Sequence, residues 1–320
     1  MRRLLAVASL LFVLPVVSAN AAKFSLAKFT LEKDDQGVTV NCDGEFFTRY
    51  IEKSGVKPIL WPIVGPTGKE MTRGYPMREA TPKEKKDHVH QRSFWFDHGD
   101  VNGISFWHEN DDHGTIVHRE YVKLDGGDQA VIQTCNDWVA PNGEVLCQDV
   151  RTMTFGAARG LRWIDFHAKV TAMSGEVVFG DTKEGSFGVR VAGSMRVELE
   201  DGGRIVNSEG QTDKDAWGKR ASWVDYSGPV DGEIVGLAIL NHPTSFRYPT
   251  YWHVRTYGLF AANPFGWHDF LRSSEADGAL TLSKGESFEV AYRVILHKGD
   301  AEQANIAEEF NRYAAEPVAK

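Results

Sequence analysis

His88 and His90 stand two residues apart in the stretch 87–109, DHVHQRSFWFDHGDVNGISFWHE. It holds four of the eleven histidines, two of the nine tryptophans and three phenylalanines. On an extended segment both imidazoles point to one face, and Arg92 joins them. Two imidazoles so placed can offer two nitrogens to one divalent metal. Two ligands are not a site, and a third would have to come from Glu184, His253 or Asp100. Without a metal, the same imidazoles can move protons or form a hydrogen-bonded pair in a rim. His98 and Asp100 could form a His–carboxylate pair near a site; the plainer reading of Asp100 and Asn102 is turn chemistry, with Asp100 bonding its own backbone.

Two further stretches carry groups of the right kind. Residues 181–185, DTKEG, present Glu184 as a general base or ligand and Lys183 as a stabiliser of a developing oxyanion, with Arg190 five residues beyond Gly185. The plainer reading of Lys183 and Glu184 is a solvated ion pair of little energetic worth. Residues 249–255, PTYWHVR, place His253 and Arg255 on one strand face, where they could neutralise a carboxylate or bind a polyol. The plainer reading there is a buried His and an Arg paired to an acid. Trp252 could stack on the apolar face of a pyranose, although aromatics of this kind are more often core. The chain contains no G-x-S-x-G elbow, no P-loop, no G-x-G-x-x-G after a strand and no H-E-x-x-H.

The elements that must position these residues are strands. Residues 161–172 alternate, with Ile164, Phe166, Ala168 and Val170 facing one way. Residues 287–297 do the same with Phe288, Val290, Tyr292, Val294 and Leu296. The 92–97 run and a returning 104–109 run predict a hairpin around Asn102-Gly103. Residues 57–73, with Pro58, Pro62 and Pro66, predict a loop or edge strand and argue against a central one. One helix is expected at the C-terminus, boxed by Asp300 and Gln303, with Ile306, Phe310 and Tyr313 docking on a sheet. Many short strands with no βαβ alternation predict an all-β, antiparallel supersandwich in a single domain over 22–320.

Residues 1–21 read as a secretory signal peptide: Arg2 and Arg3, an apolar run to Val17, then Ala19-Asn20-Ala21. They carry two arginines and no acid, so their removal takes the formal charge from -8 to -10. An acidic, exported chain is a poor partner for nucleic acid. No later run is long and apolar enough to span a membrane. Cys135 and Cys147 flank the turn 140–143, where an oxidising compartment would permit a bridge, leaving Cys42 as a buried thiol.

Four stretches taken together, KPILWPIVGPTGKEMTRGYPM, DHVHQRSFWFDHGDVNGISFWHE, GDTKEGSFGVRVAG and PTYWHVRTYGLFAANPFG, resemble the PmoA-like family of exported bacterial proteins, catalogued as "methane oxygenase PmoA". The resemblance covers nearly the whole chain after residue 21. One departure is Gln91, where the family favours a second consecutive His. Methane oxidation is rejected on physical grounds, because that activity belongs to an integral membrane subunit. The resemblance implies a sugar-catabolism setting and a galactose-mutarotase-like sandwich, in which a His acid and a carboxylate base work on a sheet face. The reading is an exported carbohydrate-active enzyme of epimerase, lyase or hydrolase type, acting on a sugar or oxidised sugar. His88, His90, Glu184 and His253 would do the chemistry, while Arg92, Lys183, Arg190, Trp252 and Arg255 hold substrate. A divalent metal on His88 and His90 is the one cofactor these residues would call for. The alternatives are a non-catalytic carbohydrate-binding module, or a metal-dependent enzyme. Binding alone needs an exposed aromatic platform; catalysis needs His and carboxylate to converge.

Overall fold

The computed structural model describes residues 27–158 and 160–318. Residues 1–21, expected from the sequence to be a signal peptide, lie outside the described residues.

Alternating apolar residues and frequent turn signals produce eighteen strands among the described residues. In chain order they are β1 (Phe29–Asp34), β2 (Gly37–Cys42), β3 (Glu45–Ser54), β4 (Lys57–Ile63), β5 (Phe94–His98), β6 (Thr115–Asp125), β7 (Ala130–Val139), β8 (Val145–Ala158) and β9 (Leu161–Ala172). Then follow β10 (Val177–Phe179), β11 (Gly185–Arg190), β12 (Arg204–Asn207), β13 (Trp223–Val230), β14 (Glu233–Asn241), β15 (Tyr251–Val254), β16 (Leu259–Asn263), β17 (Leu280–Leu282) and β18 (Ser287–Lys298). Two α-helices accompany them, α1 (Trp267–Leu271) and α2 (Ile306–Ala315).

The strands form two eight-stranded sheets, β1-β2-β3-β4-β5-β11-β16-β15 and β12-β13-β14-β18-β9-β8-β7-β6, with a small β10-β17 pair beside them. Every ladder is antiparallel. The fold is therefore the all-β antiparallel supersandwich with a C-terminal helix that the pattern predicts. The inner faces meet in one large core that includes Phe94, Phe96, Phe166, Phe187, Tyr292 and Val294.

Because side chains alternate along a strand, the first sheet also has an outer face. Ile59, Trp95, Trp107, Leu259 and Ala261 form a second apolar cluster there, flanked by Trp61, Met77 and Tyr257. The loops 64–93 and 99–114 cover this face. A third cluster, on the outer face of the second sheet, receives Ile306 and Tyr313 of α2 against Ala238, Leu240 and Ile295. Asp300 and Gln303 do box each other (Gln303 N to Asp300 Oδ1 2.9 Å, Asp300 N to Gln303 Oε1 3.1 Å). They close the turn before α2, which itself starts at Ile306.

Two local expectations fail, and the Cys135–Cys147 bridge that the sequence left open does not form. Strand β4 is interior, between β3 and β5, despite Pro58 and Pro62. Its ladder to β3 shifts register twice, and β5 pairs with it only at Ile59 and Leu60, so the missing amides fall where little pairing is required. The 104–109 run does not return as a strand: β5 is already paired with β4 and β11, and only a Val101–Ile104 bridge remains of the hairpin. No disulfide forms among the described residues. Cys147 pairs with Trp138 and Cys135 with Val150, which puts the two sulfurs three residues out of step and on opposite faces.

Candidate functional site

His88 and His90 do not lie on a strand. Residues 88–92 turn, with the Gln91 amide on the His88 carbonyl (3.0 Å) and the Arg92 amide on that of His90 (3.1 Å). His88 adopts φ +44°, a left-handed conformation costly for a side-chain-bearing residue unless its surroundings impose it. The imposition comes from below. Arg73, 1% exposed, donates to the carbonyls of Lys85, Asp87, His88 and Gln91 and to the Asp87 carboxylate. Arg190, also 1% exposed, donates to the Asp87 carboxylate (3.1 Å) and to the Gln91 side-chain oxygen.

The turn still brings the imidazoles together. The ring centroids of His88 and His90 are 5.7 Å apart, and that of His108 is 4.9 Å from His90. His88 lies flat on Tyr257 (5.3 Å, 10° between planes), and His90 leans on Trp107 (5.9 Å). Ser105 fixes His108 through both its amide (3.1 Å) and its Nδ1 (3.2 Å). His108 and Tyr257 are the members that sequence patterning missed. The first fell in a presumed strand, and the second sits in a tight 255–259 turn whose Gly258 takes φ +103°.

Glu184 arrives from the loop before β11. Gly99 makes room for it: a Cβ there would stand 2.5 Å from the Glu184 carbonyl oxygen and 2.7 Å from its Cβ. The loop is held by Asn263 Nδ2 on the Thr182 carbonyl (2.9 Å), by Asp269 on the Lys183 amide (3.3 Å) and by His253 Nδ1 donating to the Lys183 carbonyl (2.7 Å). The Glu184 charge reaches both His108 and Tyr257. Lys183 is partly exposed, with Nζ 3.7 Å from both Glu184 and Asp269. Arg255 is exposed, its guanidinium 5.8 Å from the Trp217 ring and 5.7 Å from that of Tyr257.

Beneath Trp107, Lys57 and Asp97 form an ion pair with both side chains fully buried. Lys57 also donates to the Trp107 carbonyl (3.1 Å). Burial pushes the Asp97 carboxyl up to about 6, against the pull of Lys57. Burial, then the charges of Lys57, His108, His88 and Arg73, hold His90 down to about 2. It is therefore a neutral imidazole at neutral pH. Burial likewise lowers His108, against the opposing Glu184 carboxylate, and takes His253 to about 4.

Of the nine residues the sequence nominates, His88, His90, Lys183, Glu184 and Arg255 come together on the outer face of the first sheet. Four are corrected. Trp252 is fully buried in the main core, its indole N–H on the Ala221 carbonyl (2.9 Å), and cannot touch a ligand. Arg190 is buried and spent on the 87–91 turn. Arg92 turns away to a two-pronged pair with Glu109 (2.6 Å each). His253, 3% exposed, lies behind the 182–184 loop that it supports. Among the described residues, no three His, Cys, Asp or Glu side chains are arranged to hold a metal ion.

A family model described only as a family of unknown function (DUF6807) matches residues 37–311. No curated protein matches the chain. Solved structures similar to it include the GH36 alpha-galactosidase AgaA from Geobacillus stearothermophilus (10% identity, TM-score 0.37, 86% of this chain and 40% of that one). Another is a Glycoside Hydrolase Family 97 enzyme from Pseudoalteromonas sp. strain K8 in complex with panose (12% identity, TM-score 0.34, 85% and 34%). The chain thus spans well under half the length of these enzymes. No described helix is long and apolar enough to cross a membrane.

Proposed function

The chain belongs to the family of unknown function DUF6807, and we propose that it is an exported enzyme acting on a sugar by proton transfer at the outer face of its first sheet. One observation carries the reading. The imidazoles of His88, His90 and His108 gather beside the Trp107 and Tyr257 rings, and the Glu184 charge acts on His108.

The roles follow from the environments. Glu184 is the base, a partly exposed carboxylate beside Lys183. His90, held neutral, offers a lone pair on one ring nitrogen and an N–H on the other, without the second proton of an imidazolium. His88, the imidazole most open to solvent (42% of its side chain), exchanges protons with water. Lys183 and Arg255 supply positive charge where an oxyanion develops.

The binding-module alternative is less well supported. Among the described residues no Trp or Tyr is fully open to solvent, and of the rings at the site Trp107 is buried and Tyr257 half-buried beneath His88.

The test is solvent-proton exchange. The purified protein is incubated in D2O with a panel of hexoses and hexuronates, and deuterium incorporation and anomer or epimer interconversion are followed by NMR. The expected result is catalysed exchange on one member of the panel. Glu184→Gln and His90→Ala should each slow it by about 10²-fold or more with the fold intact. Unchanged rates in both variants would sink the proposal.

A further inference from the structure

We infer that the sugar taken by this site carries a carboxylate, that of a hexuronate or a related sugar acid, and that Arg255 is the residue that recognises it. This rests on the proton-transfer reading of the same site and names its substrate class.

The charges around the site are unevenly paired. The chain as a whole carries a net charge of -8, yet cations gather around this one cluster. Most have a counterion. Arg73 and Arg190 share Asp87, Arg92 has Glu109, and Lys57 has Asp97. Lys183 is held loosely, 3.7 Å from each of two acids. Arg255 has none. Among the described residues no carboxylate lies within ion-pair distance of its guanidinium, which lies 5.8 Å from the Trp217 ring and 5.7 Å from the Tyr257 ring. Other exposed arginines, Arg204 and Arg272 among them, also have no described acid within ion-pair distance; Arg255 is the one that stands beside Tyr257, on which His88 is stacked, where it can take a carboxylate from outside.

Its mounting suits that task. The 255–259 turn fixes its backbone, with the Arg255 amide on the Leu259 carbonyl (2.8 Å) and the Gly258 amide on the Arg255 carbonyl (2.9 Å). The Trp217 and Tyr257 rings are near enough for weak cation–π contact with the guanidinium. Its fork of N–H donors can then take both carboxylate oxygens at once. Tyr257 links this point to the reacting groups: Arg255 lies 5.7 Å from its ring, His88 is stacked on it, and the Glu184 charge reaches it.

The chemistry agrees. The hydrogen on the carbon next to a carboxylate is weakly acidic. It becomes removable when the charge moving into the carboxylate is neutralised as the bond breaks. In the step inferred here, that C–H bond breaks and its proton goes to Glu184. The electron pair moves into the carboxylate group as an enediolate, held by Arg255 with Lys183. Return of a proton to the same carbon completes the cycle, and no oxidant or further reactant is needed.

The experiment compares matched pairs, D-galacturonate with D-galactose and D-glucuronate with D-glucose, by titration calorimetry and by NMR exchange in D2O. The expected result is that at least one uronate binds about tenfold or more tightly than its neutral partner. That ratio should fall towards one in Arg255→Gln and recover only in part in Arg255→Lys, which keeps the charge but loses the fork. A ratio near one in the wild type, or a preference that survives in Arg255→Gln, overturns the inference. The two readings fail separately. A neutral hexose turned over in a Glu184-dependent way, with no uronate preference, removes the substrate class and leaves the proton-transfer site. An Arg255-dependent uronate preference without any exchange leaves the carboxylate site and removes the catalysis.

Discussion

Removing the Lys57 ammonium should destabilise the fold strongly, and removing Asp97 with it should largely undo the damage. Both side chains are completely buried, and Lys57 is the carboxylate's ion-pair partner. In Lys57→Met the Asp97 carboxylate is left uncompensated in an apolar setting of Trp95 and Trp107, at a cost of about 3–5 kcal/mol. In a domain of this size each kcal/mol moves the melting temperature by roughly 2 °C, so a fall of about 6–10 °C is expected at pH 7. The double variant Lys57→Met, Asp97→Asn buries no charge and should stay within about 2 kcal/mol of the wild type. The pH dependence has a definite sign. The folded Asp97 carboxyl sits at about 6 even with Lys57 beside it, above the ordinary 3.8. The folded state therefore binds that proton more tightly, and stability declines as pH rises from about 4 through 6. Without Lys57 the affinity for the proton increases, so the single variant should recover part of its loss at pH 5, and the double variant should not. Calorimetry at pH 5 and 8 reads both effects. A single variant as stable as the wild type at pH 7, or a double variant as unstable as the single, would refute the reasoning.

Acid should weaken the fold through its buried histidines. His98 and His253 sit at about 4 because burial penalises their charged forms. The unfolded chain therefore binds their protons first, and stability falls from pH 6.5 to 4 by roughly 3 kcal/mol for each; His98→Asn should flatten the slope of melting temperature against pH. Trp252→Ala, deep in the main core, should cost roughly 3–5 kcal/mol. This contrasts with the exposed Arg255, where Arg255→Gln should leave the melting temperature within about 2 °C. Because Cys42, Cys135 and Cys147 are free and buried, dithiothreitol should not shift the melting temperature, and a thiol reagent should react fully only after unfolding.

The strands were legible because period-two alternation is a strong local signal. β9 and β18 bury Ile164, Phe166, Val170, Val290, Tyr292 and Val294 as the pattern requires. What the pattern cannot carry is which strands become neighbours. β5 pairs with β11, nearly ninety residues on, and this decides that 104–109 stays a loop and that Glu184 meets the histidines. His88 and His90 were found by spacing, for a reason that proved wrong: they meet through a turn and not along a strand. Arg190 and Trp252 were misread because residue type does not reveal which face of a strand is core. Lys57 gave no signal at all, since a lysine beside a proline looks like a solvated loop until Asp97 is placed opposite it.

Arg73 grips the 85–91 segment chiefly by its main-chain oxygens, at Lys85, Asp87, His88 and Gln91. Every residue type has that oxygen, so the course of the loop depends little on the side chains at Lys86, His88 and Val89, all three exposed. The loop is in effect an exchangeable cassette clamped from beneath. Randomising Lys86 and Val89 freely, and His88 among residues that tolerate its left-handed backbone, while keeping Arg73, Asp87, Gln91 and Arg190 should yield a library in which most members fold and the chemistry at the rim varies. The same clamp gives descendants of this chain a route to new substrates without rebuilding the sandwich.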